Sequence, residues 1–305
     1  MAVVAGIGEL LWDLLPNGKQ LGGAPSNFAY ISSLLGNHAA VVSRVGDDPL
    51  GTEALERLKA LGIETANVQT DDTHFTGTVD VTIDANGLPE FRIARSVAWD
   101  YIEWNGAVQK LASEADIVCF GSLAQRQEPS RSAIHQFLRA TRESCLRIFD
   151  VNLRQSYYDA ITLKTGMALA TVVKVNDEEL PVVLQSCGLP TKSDDDVSDA
   201  ELLLEHFGME LVCVTHGQRG SLLLGKDKRS EHPGFRVQVV DTVGAGDAFT
   251  ATLAHFYRTG QSLEVINDAA NRVASWVATQ PGATPAATSE QIAELLGIGQ
   301  TSANS

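Results

Sequence analysis

The segment Asp241-Thr242-Val243-Gly244-Ala245-Gly246-Asp247-Ala248-Phe249 joins a carboxylate to a glycine-rich bend. A β-like run over residues 236–240 precedes it. A helical pattern with Phe249, Leu253, Phe256 and Tyr257 on one side follows, stopped by Gly260. The bend is therefore expected between a strand and a helix. Glycine lets the backbone approach a ligand closely and adopt unusual dihedrals. The first N–H groups of a helix have no internal partner and sit at the positive end of its dipole, which together make an anion hole suited to phosphate. Asp247 stands in that hole, either as an acidic group beside the bound phosphate or as a cap of the helix N-terminus.

Other positions combine chemistry with spacing. Asn176 and Glu179 lie at an expected strand-to-helix junction, and a spacing of three puts them on one face of a turn. They can serve a ligand, or they can be a helix N-terminal Asn followed by acidic first-turn residues, Asp177 and Glu178 included. Asp13 closes the first apolar strand and precedes an apolar pair and a Pro16-Asn17-Gly18 turn, where a carboxylate can accept two hydroxyls. Gly23 and Asn27 flank Pro25, a first-position helix residue. Asn27 turns its amide to a ligand or caps and buttresses that helix. Arg154, just past an apolar strand, contacts a ligand or pairs with a nearby carboxylate. Trp12, Trp99 and Trp104, with Phe91, either cover the apolar side of a ligand or pack within the protein.

The elements needed to hold these residues are legible in the pattern. Short apolar runs over residues 3–7, 39–45, 117–120, 146–151, 172–175 and 211–215 read as buried strands. Helical patterns over 25–35, 51–61 and 199–207 end at Gly36, Gly62 and Gly208. The alternation predicts an α/β protein with a mainly parallel sheet and helices on both faces. Residues 76–104 break the rhythm with an alternating β-branched stretch, an Asn86-Gly87 turn signal and a second apolar stretch. That is a hairpin inserted into the body. Residues 12–22 add a second, shorter one, and the two together read as a small antiparallel lid or a surface decoration.

Composition excludes several classes. The 305 residues carry 38 acidic and 23 basic side chains, a net charge of −15, and are 44% hydrophobic. Such a chain can bury a sizeable core as one large α/β domain or two ordinary ones. The acidity argues against a nucleic-acid-binding face, and the absence of an 18-residue apolar run argues against a membrane span. Cys119, Cys145, Cys187 and Cys213 show no short pairing, and the seven histidines form no metal-binding pattern. Buried thiols in a cytoplasmic protein are expected.

The bend Asp241-Thr242-x-Gly244-Ala245-Gly246-Asp247 resembles the C-terminal signature of the ribokinase-like (PfkB) carbohydrate kinases. Gly22-Gly23-Ala24-Pro25-x-Asn27-x-Ala29 resembles that family's first signature, and Gly46-Asp47-Asp48-x-x-Gly51, Asn176-x-x-Glu179 and Val214-Thr215-His216-Gly217 follow in family order. Within the family, Gly8-Glu9-Leu10-Leu11-Trp12-Asp13, Ala98-Trp99-Asp100 and Phe149-Asp150-Val151-Asn152-Leu153-Arg154 are most similar to bacterial fructokinases. The resemblance implies a ribokinase-like three-layer fold over 1–305 as one kinase domain, with a lid from about 12–22 and 76–104. It implies transfer of the ATP γ-phosphoryl group to a sugar hydroxymethyl, with fructose favoured.

By the same resemblance, Asp247 takes the hydroxyl proton, and the amides of Gly244, Ala245, Gly246 and Asp247 hold the transferring phosphoryl oxygens. Asp13, Gly23, Asn27 and Arg154 bind the sugar. Thr215, Gly217, Asn271 and Gly282 contact the nucleotide. Asn176 and Glu179 order Mg²⁺ through its waters, and the Asp241–Val243 backbone with the loop around Gly282 forms a K⁺ site. Ribose, 2-keto-3-deoxygluconate (for which Arg95 and Arg154 could serve) and a nucleoside stay open as acceptors, as does a catalytically silent sugar-binding protein. A nicotinamide-linked oxidoreductase fails because Gly6-x-Gly8 is followed by Leu11 where the third glycine belongs. The lid's apolar face and free edge lead to an expected homodimer through it.

Overall fold

The computed structural model describes residues 1–15, 18–83, 89–192 and 195–297. The elements in chain order begin with β1 (Val3–Ile7), β2 (Leu11–Leu15), β3 (Gly18–Gly22), α1 (Ala24–Leu34), β4 (His38–Gly46), α2 (Pro49–Ala60), β5 (Val68–Asp71), β6 (Gly77–Ile83) and β7 (Pro89–Ile93). The middle of the chain forms α3 (Gly106–Glu114), β8 (Ile117–Phe120), α4 (Glu128–Ala140), β9 (Leu146–Asp150), α5 (Ala160–Leu169), β10 (Val172–Asn176) and α6 (Glu179–Cys187). The remainder is α7 (Asp196–Phe207), β11 (Leu211–Thr215), β12 (Ser221–Gly225), β13 (Arg229–His232), α8 (Ala245–Arg258), α9 (Leu263–Ala278) and α10 (Ser289–Leu295).

A nine-stranded sheet runs β13-β12-β11-β10-β9-β8-β1-β4-β5. Its strands from β11 to β5 pair in parallel, and β12 and β13 close one edge antiparallel. Because side chains alternate across a strand, neighbouring residues feed opposite layers. Phe149 and Val173 pack with Ile134, Leu163, Leu180 and Leu203 of α4–α7. Ile148 and Val172 pack with Phe28, Leu58, Leu253 and Val273 of α1, α2, α8 and α9. Strands buried on both sides explain why the runs are apolar throughout rather than alternating. The α/β class and three-layer arrangement read from the sequence are thus present. Gly36, Gly62 and Gly208 follow their helices with φ of +82°, +74° and +65°.

The smaller sheet has the order β3-β2-β6-β7. The β2–β3 and β6–β7 hairpins are antiparallel, as expected, and are joined by a parallel β2–β6 pairing that begins at Leu11 opposite Gly77. The Asn86-Gly87 turn signal and the C-terminal tail lie outside the described residues. The second hairpin is tied to the body at Asp48, which caps α2 through Gly51 N–H and accepts from Thr76 N–H and the Thr76 hydroxyl, each at 2.8 Å. The glycine-and-acid motif at 46–51 therefore fastens the two sheets together. Trp99 is fully buried beneath the Arg126 guanidinium, which pairs with Asp100. Trp12 is 4% exposed and donates to Leu50 O. Both tryptophans therefore serve packing, whereas Phe91 lies in a stretch whose side chains are not described.

One expected element is absent. Residues 236–240 form no strand: β13 ends at His232, and the following chain runs exposed, with Val240 61% accessible and its N–H donating to Ala278 O. The chain must leave the sheet edge here and cross the end of α9 to reach α8, so its β-branched residues meet solvent instead of a neighbouring strand.

Candidate active site

In open α/β sheets, ligands bind beyond the carboxyl ends of the parallel strands, where neighbouring connections diverge. The chain leaves β1 toward α1 and β4 on one side, while β8 lies on the other. Beyond these strand ends lie the singled-out residues of the loops after β1 and β9, joined by Asp13 on β2, the start of α1 and the start of α8.

Gly244 is the N-cap of α8 at φ +79°, and a Cβ there would fall 2.5 Å from the Ala283 Cβ. Only glycine meets both the left-handed turn and the loop packed on it. No side chain caps this first turn, so its amides suit an anion. One amide departs from the expectation of four: Ala245 N–H donates to Thr242 O at 3.2 Å. Asp247 lies in the turn but does not cap it. Its Oδ2 accepts from Asn27 Nδ2 at 2.7 Å. Asn27, 4% exposed, thus buttresses the carboxylate from α1. Burial, reinforced by Asp150, pushes Asp247 up to about 6, while the Asn27 hydrogen bond, Lys174 and Arg154 oppose the rise.

Two further carboxyl groups border the same place. Asp13, on β2, is pushed up to about 6 by burial, against the pull of Arg154. Gly22 lets that carboxylate lie against β3, since a Cβ there would be 2.4 Å from Asp13 Oδ2. Glu9, in the turn between β1 and β2, is 4% exposed and accepts from Ala24 N–H at 3.2 Å. Among the described residues its Oε2 and Asn27 Oδ1 are buried without a hydrogen-bond partner. Burial takes Glu9 up to about 7; backbone amides at Glu9 and Ala24 offset part of this, and Asp247 adds to it. Gly23 packs directly on this turn, where a Cβ would fall 2.4 Å from Glu9 O. Arg154 is exposed, and its positive charge acts on Glu9, Asp13 and Asp247 together.

Asn176 and Glu179 bind each other reciprocally. Glu179 N–H donates to Asn176 Oδ1 at 2.7 Å, and Asn176 N–H donates to Glu179 Oε2 at 2.9 Å. Glu179 Oε1 accepts from Leu153 N–H at 2.7 Å, which fixes the loop carrying Arg154. Both alternatives meet here: the pair closes a helix start, and its remaining lone pairs can accept further hydrogen bonds. Among the described residues no three His, Cys, Asp or Glu side chains form a metal cage. This donor set suits a hydrated cation reached through water, since Mg²⁺ keeps several of its waters.

The other singled-out residues sit on separate elements. Thr215 ends β11, and its carbonyl accepts from Asp177 N–H. Gly217 opens a short 3₁₀ turn with free space before it. Gly282 N–H donates to Asp241 Oδ2 at 3.0 Å, and Gln20 of β3 packs against Gly282. Asn271 lies on α9 and faces β12. It is 6% exposed and its amide is spent on Ser221 and Asn267, bracing α9 against β12.

Sequence reasoning assigned no role to Glu9, Asp150, Lys174 or Thr250. The signal for Lys174 was available: one charge inside Val172-Val173-Lys174-Val175, a strand otherwise apolar. Glu9 likewise interrupts an apolar N-terminus.

Residues 17–290 match the family described as pfkB family carbohydrate kinase. Fructokinase-1 of Zea mays is 31% identical over 270 residues, 82% of this chain and 81% of that one. A sugar kinase of Pyrococcus horikoshii is 31% identical over 268 residues, covering 82% of this chain and 81% of its own. The crystal structure of that archaeal protein superposes with a TM-score of 0.83 at 28% identity, over 97% of this chain and 99% of that one. Fructokinase from Vibrio cholerae O395, bound to fructose, ADP and calcium, gives 0.78 at 25% identity, over 97% and 99% of the two chains.

Proposed function

Because this chain belongs to the pfkB family of carbohydrate kinases, and is therefore a sugar phosphotransferase, we propose that it transfers the γ-phosphoryl group of ATP to a hydroxymethyl oxygen of fructose. The observation that carries this reading is Asp247: a buried carboxylate, aimed by Asn27, at the uncapped first turn of a helix. The preference for fructose is supported by the fructokinase names of relatives that share about 30% of their residues.

The step follows from the residues. Asp13 and the backbone at Gly23 hold the sugar, and Asn27 fixes Asp247. The sugar oxygen forms its bond to the γ-phosphorus and gives its proton to Asp247. The β–γ bridging oxygen keeps the electron pair of the bond that breaks. In a loose transition state proton loss comes late, so positioning and charge stabilisation dominate. The open amides of α8 and the Arg154 charge face the phosphoryl oxygens. A bound Mg²⁺ would neutralise phosphate charge, with its waters on Asn176 and Glu179, and K⁺ would be held by the 241–243 backbone and the 281–284 loop. Thr215, Gly217 and Gly282 border the nucleotide.

The four-stranded sheet acts in this reading as a lid within one kinase domain over 1–305, excluding water from the transfer. Its outer strands β3 and β7 offer edges through which two copies pair, and light scattering that gives a monomer at micromolar concentration would remove that part. A cytoplasmic setting is supported by four buried, unpaired cysteines, and among the described residues no helix is long and apolar enough to cross a membrane.

One observation favours a second acceptor. Arg154 and Arg95 are both exposed, and Arg95 Nε donates to the Tyr157 hydroxyl at 3.1 Å. Two such cations suit the carboxylate of 2-keto-3-deoxygluconate. A coupled assay with ATP and Mg²⁺ over fructose, ribose, 2-keto-3-deoxygluconate and a nucleoside decides the matter. Fructose is expected to give the highest kcat/KM. Preference for the acid sugar would replace fructose, and binding without turnover would leave a silent sugar-binding protein.

A further inference from the structure

Behind Asp247 lies a polar network inside the sheet that the phosphoryl-transfer step does not use. Asp150 is the last residue of β9 and is 3% exposed. Its Oδ1 accepts from Lys174 Nζ at 3.0 Å, and its Oδ2 accepts from the Thr250 hydroxyl at 2.8 Å. Thr250 stands one turn after Gly246 on α8. Lys174, on β10, is 7% exposed, and a Cβ on Gly246 would sit 3.2 Å from its Nζ. The ammonium therefore forms the floor of the glycine bend. A cavity of about 10 Å³ is lined by Asp150, Asp247 and Thr250, with Pro25, Phe28 and Cys119 on its apolar sides. That is room for about one water molecule.

We propose that the Asp150–Lys174 pair is a positioning element for the catalytic base: Asp150 anchors α8 through Thr250 and sets a second negative charge across the cavity from Asp247, while Lys174 pairs with Asp150 and supports the bend at Gly246. The inference rests on Asp247 being the base. A free aspartate is a poor acceptor for an alcohol proton, and a base works best with a pKa near the working pH. A second buried negative charge raises the first, because two anions in a water-poor space repel. Groups of both signs face Asp247 from several elements. Asp150 from β9 and Glu9 from the β1–β2 turn are acidic, and Cys119 from β8 is held neutral by burial. Asn27 from α1, Lys174 from β10 and Arg154 from the loop after β9 pull the other way. Among these groups Asp150 is the strongest after burial itself.

The test is the pH dependence of kcat/KM for the sugar at saturating ATP and Mg²⁺. Asp150→Asn keeps the shape and removes the charge, so the acid limb is expected to move down by about one unit. Asp150→Asn also strands the Lys174 ammonium and can cost enough stability to prevent folding. The double variant Asp150→Asn with Lys174→Met removes both charges and keeps the measurement possible. Its acid limb is expected to move down by less, because the weaker opposing charge is lost too. An acid limb that stays in place in the double variant, or moves up in either protein, overturns the proposal. Asp247→Asn separates the two claims. If it retains turnover, the base reading fails. If it is inactive while the Asp150 variants leave the limb unmoved, the base stands and the positioning role falls.

Discussion

Replacing Glu9 by glutamine removes an ionisable group that folding places in an apolar setting. Glu9 is 4% exposed, and burial takes its carboxyl from 4.5 to about 7. The difference is about 2.5 units, and at about 1.36 kcal/mol per unit it corresponds to roughly 3 kcal/mol. A carboxyl raised in the folded state binds its proton more tightly there than in the unfolded chain. Its contribution is therefore complete below pH 4.5 and is lost as pH rises through about 7. Glutamine has no proton to lose. It keeps a carbonyl for Ala24 N–H and places an N–H₂ where Glu9 Oε2 is unpartnered. Urea unfolding followed by tryptophan fluorescence at pH 5, 6, 7 and 8 measures the effect. The stability of Glu9→Gln relative to the native protein should rise with pH by up to about 3 kcal/mol and then level off. Parallel stability profiles for the two proteins between pH 5 and 8 would show that Glu9 titrates as an ordinary glutamate and that its burial carries no such cost.

Three other perturbations follow from the same geometry. Asp247→Asn should lower kcat by about 10²–10⁴-fold, the usual worth of a general base, with ATP affinity by calorimetry unchanged. Gly244→Ala forces an alanine into φ +79° against Ala283, so a loss of about 1–3 kcal/mol is expected in thermal unfolding, together with weaker nucleotide binding. Arg154→Ala withdraws a charge that lowers Glu9, Asp13 and Asp247 alike, so the acid limb of kcat/KM should move to higher pH. An unmoved limb with only a raised KM would confine Arg154 to substrate contact.

Much of the framework was readable because it rests on local physics. A strand buried on both faces must be apolar throughout, and the runs ending at Ile7, Phe120 and Thr215 coincide with the strands found. Glycines after helices mark left-handed ends, as at Gly36, Gly62 and Gly208. Residues 236–240 misled because β-branched alternation reports local preference, while strand formation needs an open neighbouring edge. The geometry of the candidate site was legible where one loop carries it, as at the Gly244 bend before Asp247. It was opaque where distant segments meet: 220 residues separate Asn27 from Asp247, and 100 separate Asp150 from Thr250. No spacing rule links such pairs; only the order of strands in the sheet does.

The cleft also poses an electrostatic question that its second layer answers. A chain of net charge −15 gathers Glu9, Asp13, Asp150 and Asp247 around the place proposed for the transferring phosphoryl group. Four ionised carboxylates there would repel it strongly, since low dielectric magnifies each pair. Two features reduce that charge without surrendering the base. Glu9 holds its proton up to about 7, so near neutrality it is partly uncharged. Lys174 offsets part of the Asp150 charge at 3.0 Å. The carboxylates left to act are Asp247 and Asp13, faced by Arg154 and by the positive end of α8. On this account pH acts on the two substrates in opposite senses. Raising pH through about 6 frees Asp247 for proton transfer, and raising it further through about 7 ionises Glu9, so KM for ATP should climb over the interval in which kcat levels off. Glu9→Gln should abolish that climb while leaving the kcat plateau. A KM for ATP that rises equally in both proteins would place the repulsion elsewhere and remove Glu9 from the electrostatics of nucleotide binding.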